Sequence, residues 1–292
     1  MGSLKEIRNR ISSVGSTQKI TSAMKLVSAA KLRRAQTTIV NLRPYVNKLD
    51  TIVDNLFGGW DEQYISPLAE VRPPENVVLV MITSNRGLCG SFNSNVVKEV
   101  YRLIQEKYLQ QAENGTLQFV CIGRKGYEQI VKRFEVIHYN ETLLESSSFN
   151  EMAEIAQHLI DGFLDKKIDK VEIVYNQFVN PATQFVTGIP FLPVEAIRSD
   201  MKEKNKVDYI FEPSKDELRE TLVPKILKTR LYKALLESIA SEHGARMTTM
   251  AKATDNADEI LKDLKLKYNN ARQSSITTEL LEIISGANAL DG

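Results

Sequence analysis

The side chains best able to ligate a metal or attack a substrate are few in this 292-residue chain: three histidines and two cysteines. His138, His158 and His243 are scattered, and none stands in a His-x-x-x-His or Cys-x-x-Cys pattern, so no metal site is expected. Cys89 sits between Arg86 and Asn93, where a cation favours the thiolate, but no histidine is near in sequence to act as its base. A packed or interface thiol is the expectation, and Cys89 with Cys121 is too small a set for a disulfide framework. Two glycine-rich stretches, Gly87-Leu-Cys-Gly90 and Gly123-Arg-Lys-Gly126, each follow an expected strand, where an α/β domain binds phosphate. Neither has the Gly-x-Gly-x-x-Gly spacing and no P-loop occurs, so both read as tight strand-to-helix turns. No catalytic residue, no cofactor and no metal is therefore assigned.

Charge is more informative by segment than in sum. The formal net charge is +1, yet residues 1–56 carry +7, residues 57–213 carry −6 and residues 214–292 carry zero. Such asymmetry points to a partner of opposite charge. The basic first segment suits phosphate, but within residues 1–56 its only aromatic is Tyr45 and the chain's pI is about 7.7, so no nucleic acid is expected. The longest apolar runs, such as Val77–Ile82, are far short of a membrane span, and the N-terminus lacks the apolar core of a signal peptide.

These residues need elements to hold them. Leu4, Ile7, Ile11 and Val14, then Leu32, Ala35, Ile39, Leu42, Val46, Leu49, Val53 and Leu56, are spaced by three or four in one heptad phase, a coiled-coil seam. Between the runs the phase falls on Gln18, Thr21, Lys25 and Ser28, whereas Ile20, Met24 and Val27 lie on an adjacent face. Either the helix turns another face inward there or it has a second partner. Pro44 should bend it, and Gly58-Gly59 should end it. Residues 75–212 alternate strands (Val77–Thr83, Leu117–Ile122, Val171–Phe178, Gln184–Thr187 and a short one at Tyr209–Phe211) with helices near Ser94–Gln110, Lys125–Arg133 and Phe149–Ile168. From Ser214, which with Glu217 makes a capping box, helical spacing returns through Leu218, Leu222, Ile226, Leu231, Leu235 and Ile239. It continues through Met250, Ala257, Ile260, Leu264, Tyr268 and Ala271. At Arg272-Gln273-Ser274-Ser275 the stripe shifts by one position and resumes at Ile276, Leu280, Ile283, Ala287 and Leu290. The expected fold is α/β: a long antiparallel coiled coil of N- and C-terminal helices (1–57 and 213–292) with an inserted Rossmann-like α/β domain at 75–212.

Four motifs in order along the chain resemble the gamma subunit of F-type ATP synthase. They are Lys5–Ile11 with Thr17–Val27, the loop Thr83–Gly90, the helix Ser241–Ala257, and Tyr268–Ala287 as the most specific. The resemblance implies a rotor shaft whose coiled coil sits in a ring of alpha and beta subunits. Its α/β domain sits on a ring of c subunits beside epsilon, with Asp208–Pro213 near that foot. Proton or sodium flow would turn it, and catalysis would belong to the partners. Carried over by motif, Met24 and Lys25 lie near the acidic beta lever, Arg86 and Cys89 face a beta subunit, and Arg272 and Gln273 bond a beta loop. Arg246, Thr277, Glu279 and Glu282 match positions linked to coupling. The chloroplast insert with its cysteine pair is missing, so thiol control is not expected. With no transit peptide before the first helix, the expected place is the cytoplasmic face of a bacterial cell membrane, the mitochondrial matrix side being the alternative.

Overall fold

The computed structural model describes residues 4–57, 67–181, 183–194 and 215–290. The expected glycine stop at 58–59, the short strand at 209–211, the Ser214 cap and the 208–213 foot segment fall outside them. The chain divides into two compact units, Met1–Ser28 with Met247–Gly292, and Ala29–Arg246. Helix α1 is Leu4–Phe57 and runs on through Pro44 without a break. Helix α7 is Lys215–Leu290 and likewise contains Pro224.

In the first unit the two helices pair antiparallel. Gln18 Nε2 donates to Asp258 Oδ1 at 2.9 Å, and one turn further along α1, one turn back along α7, the Thr21 and Thr254 hydroxyls meet at 2.9 Å. Thr21 and Ser28 are buried while Ile20 and Val27 are 59% and 58% exposed. The seam thus keeps its phase through polar residues, and the apolar neighbours, not the seam, face outward. Among the described residues of this phase, Lys25 alone is exposed, as its long, strongly hydrated head requires. On α7, Met250, Ala257 and Leu264 are buried as expected. Ile260 is a correction: it is 49% exposed, and Leu261 takes the half-buried place one position on. From Arg272 to Ala287 every residue but Ser275 is exposed.

In the second unit a five-stranded sheet has the order β3-β2-β1-β4-β5. The strands are β1 (Val77–Ile82), β2 (Leu117–Ile122), β3 (Glu135–Asn140), β4 (Lys170–Asn180) and β5 (Thr183–Leu192). The first four are parallel to their neighbours and β5 returns antiparallel beside β4. The continuous apolar run of β1 is fully buried because helices cover both faces of the sheet. On one face Val77, Leu79 and Met81 pack with Val96, Val100 and Leu103 of α2 (Phe92–Lys107) and Ile130 of α4 (Arg124–Ile130). On the other, Val120 lines a cavity together with Ile155 and Leu159 of α6 (Phe149–Leu164), whose N-cap Ser148 accepts from Glu151 N. Two short helices, α3 (Leu109–Asn114) and α5 (Leu143–Ser146), complete the connections. Within the same unit Leu49 of α1 packs with Leu222 and Ile226 of α7. From Ala234 to Glu242 every residue of α7 is buried. Its polar groups there reach the α/β layer: Tyr175 Oη donates to Glu237, and Ser241 Oγ donates to the Asn176 carbonyl.

Candidate partner-contact site

The loop after β1 is built from within. Ser84 N donates to Asn93 Oδ1 at 2.9 Å, and Ser84 Oγ donates to the Arg86 carbonyl at 2.7 Å while accepting from Asn93 Nδ2 at 2.8 Å. Asn93 Nδ2 also points at Cys89 Sγ, 3.3 Å away. Cys89 is 1% exposed, and burial pushes its thiol up, tempered by the Ser84 hydroxyl. Its side chain is therefore part of the loop's interior, and what the loop turns outward is Arg86 and Leu88, the latter 64% exposed. Leu88 is held at φ 62°, a left-handed conformation that bulky residues rarely adopt.

Arg246 of α7 lies under this loop. Its guanidinium donates to the Gly87 carbonyl, to the Arg86 carbonyl and to Glu242 Oε1. Arg246 and Glu242 are 8% and 9% exposed. Burial raises the Glu242 carboxyl above its ordinary range, against the pull of Arg246. In an α/β fold this end of β1 borders the crevice that takes a nucleotide; here Arg246 bonds the loop carbonyls instead. The second glycine turn is also a packing device. Gly123 has φ 98°, and a Cβ there would collide with the Thr83 carbonyl. Gly126 N donates to Thr83 Oγ1 at 2.8 Å.

The other expected contact residues stand in the first unit. Met24 is half-buried and Lys25 exposed. Arg272, Gln273, Thr277, Glu279 and Glu282 are all exposed on α7, with Thr277 Oγ1 donating back to the Gln273 carbonyl at 2.9 Å. Ile276, Leu280, Leu281, Ile283 and Ile284 are each about half or more exposed beside them. Arg246 and Cys89, by contrast, make their contacts inside this chain. Glu242 and Leu88 escaped the sequence reading, although an acid four residues before Arg246 on one helix is a detectable signal.

His138 and His158 do come together, lining a cavity of about 270 Å³ with Glu151 and Glu154. Among the described residues, however, no three His, Cys, Asp or Glu groups are placed to hold a metal ion. Among the same residues no helix is long and apolar enough to cross a membrane.

A family model described as ATP synthase matches residues 3–290. The ATP synthase gamma chain of Cytophaga hutchinsonii is 48% identical over 294 residues, covering 100% of both chains. That of Flavobacterium psychrophilum is 49% identical over 292 residues, again covering 100% of both. The chain belongs to the ATP synthase gamma-chain family. A gamma chain is a non-catalytic subunit, which accords with the packing roles of both glycine turns. The gamma-chain fold recurs in solved structures. The chain matches the rotor of Euglena gracilis mitochondrial ATP synthase in rotational state 1, with TM-score 0.63 and 21% identity over 94% of this chain and 98% of that one. It also matches the central stalk and c-ring structure of the Tetrahymena thermophila mitochondrial enzyme, with TM-score 0.58 and 24% identity over 80% and 99%.

Proposed function

We propose that the chain is the central rotary shaft of an F-type ATP synthase, coupling proton or sodium flow through a membrane ring to ATP synthesis or hydrolysis in an alpha/beta ring. The observation that carries this reading is the end of α7. Between Gln273 and Ala287 the only charges are Glu279 and Glu282, and five large apolar side chains there are exposed. An exposed apolar helix with so little charge calls for a sleeve, and one without strong ion pairs to fix it at a single angle. The partners are alpha and beta subunits around the helices, with epsilon and the c ring at the α/β domain. We take residues 1–57 and 213–292 as the shaft and 75–212 as the globular part. Contacts to the beta subunits run through Met24 and Lys25, through the loop of Arg86 and Cys89, and through Arg272 and Gln273. Arg246, Thr277, Glu279 and Glu282 tune the coupling. The bacterial gamma-chain relatives favour the cytoplasmic face of a cell membrane as the site of assembly.

Reconstitution tests this. Mixed with alpha and beta subunits, the chain should form a stable complex and raise ATP hydrolysis. A chain that neither assembles nor alters the ring's activity is a free-standing scaffold instead.

A further inference from the structure

Two features of the loop after β1 have no use in a loop that merely connects two elements. The first is that Leu88, a bulky residue, is held at φ 62° and yet is 64% exposed. A bulky residue in the left-handed region is strained and persists only where its surroundings over-determine it. Among the described residues, so exposed an apolar side chain buries little area to offset that. The second is the support beneath. Arg246 reaches from α7 to two successive loop carbonyls and is itself anchored by Glu242, with the charges nearly out of water. A buried pair of this kind is a poor source of net stability and a good source of fixed geometry.

We infer that Arg246 and Glu242 are positioning residues that lock the 85–88 backbone, and that Leu88 is the residue so presented, meeting an apolar patch on a beta subunit. The neighbouring Arg86, exposed on the same loop, sets the chemistry of that patch: apolar, with a carboxylate at its edge. The inference rests on the rotary-shaft reading and deepens it, because it moves the role of Arg246 from touching a partner to holding the loop that does. The Ser84, Asn93 and Cys89 network closes the other side of the loop, so the Arg246 clamp is what fixes its tip to α7.

The test uses the complex assembled with alpha and beta subunits and the membrane ring. Two quantities are measured: ions pumped per ATP hydrolysed, and amide hydrogen exchange of residues 85–89. Arg246→Gln should speed exchange in the loop and lower pumping per ATP about tenfold. Arg246→Lys should recover only part of both, since one ammonium cannot span two carbonyls and a carboxylate. Leu88→Asn keeps a residue that tolerates the left-handed region, so exchange should stay unchanged while pumping falls as far. The double variant should lose no more than the worse single one, because both act through one contact. Wild-type pumping in Leu88→Asn, or losses that multiply in the double variant, overturns the inference. Should Arg246→Gln fail to assemble, Glu242→Gln and Leu88→Asn decide the same question. A wild-type complex that hydrolyses ATP without coupling it sinks the shaft reading itself, and the inference with it.

Discussion

The hydroxyls of Thr21 and Thr254 meet at 2.9 Å in the seam between the two terminal helices, and each also lies within hydrogen-bond reach of a carbonyl of its own helix, Gln18 and Met250 respectively; with one proton apiece, one hydroxyl donates across the seam while the other donates back to its own helix. With Gln18 and Asp258 bonded one turn away, they make a polar stretch in the seam. Hydrogen bonds fix register where apolar contacts tolerate sliding.

Replacing one of these threonines by valine should therefore cost about 0.5–1.5 kcal/mol, and replacing both should cost less than the two single changes together. Chemical denaturation of the full chain measures this. Strictly additive losses would show that the two hydroxyls are bonded only to their own helices.

Gly123→Ala and Gly87→Ala separate two kinds of glycine. An added Cβ at Gly123 meets the Thr83 backbone at positive φ, whereas at Gly87 it meets nothing within 4 Å. The first change should destabilise the chain by about 2–4 kcal/mol and the second by under ~0.5. Thermal melting compares them, and equal shifts would contradict the packing role of the Gly123 turn.

Stability should fall in mild acid, and His243 should carry part of the fall. Burial first, then the charges of Lys31 and Arg246, hold its imidazole down to about 4 from an ordinary 6.5. Its Nδ1 has no hydrogen-bond partner among the described residues. The unfolded chain takes up this proton near 6.5 and the folded chain only near 4. The stabilisation is thus complete above the first value and lost as pH drops toward the second. Allowing for partial exposure, His243→Gln should remove about 1–2 kcal/mol of the pH dependence. Denaturation midpoints at both ends of that window test it, and an unchanged slope in the variant would count against it.

Met24→Lys should weaken ion pumping more than ATP hydrolysis in the assembled enzyme. It puts a cation on the face that holds exposed Ile20 and Val27, next to the exposed Lys25 of the seam phase. On the shaft reading that face meets an acidic lever, and an added exposed pair is worth on the order of 1 kcal/mol. Equal loss of both activities, or of neither, would argue that Met24 touches no lever.

Much of this was legible from residue types alone. The heptad phase of α1 runs on through the buried Thr21 and Ser28, so the alternative that the helix turns another face inward there is overturned: period, not polarity, decides which face is inward. The run Val77–Ile82 announced a strand buried on both faces. Strand β3 was missed: Glu135–Asn140 mixes charged, polar and aromatic residues because it is an edge strand, half-exposed along its length. Strand β5 runs past the expected end at Thr187 to Leu192; Gly188 and Pro190 disfavour strand, yet Pro190 is tolerated opposite Glu172 on the outer edge. The helix expected to run to Gln110 stops at Lys107 and restarts at Leu109. In the loop, sequence singled out Cys89 and Arg86 but not Leu88, because exposure and a positive φ are tertiary facts with no local signature. The buried pairing of Arg246 with Glu242 was hidden for the same reason: helical spacing brings the two together, but only the overlying loop takes them out of water.

On the rotary-shaft reading, this chain turns within the alpha/beta ring. With the alpha/beta ring immobilised and a probe fixed to the α/β domain, added ATP should drive continuous rotation of the probe in one direction, stopping when hydrolysis is inhibited. A probe that stays at one angle while the same complexes hydrolyse ATP at full rate would contradict the account.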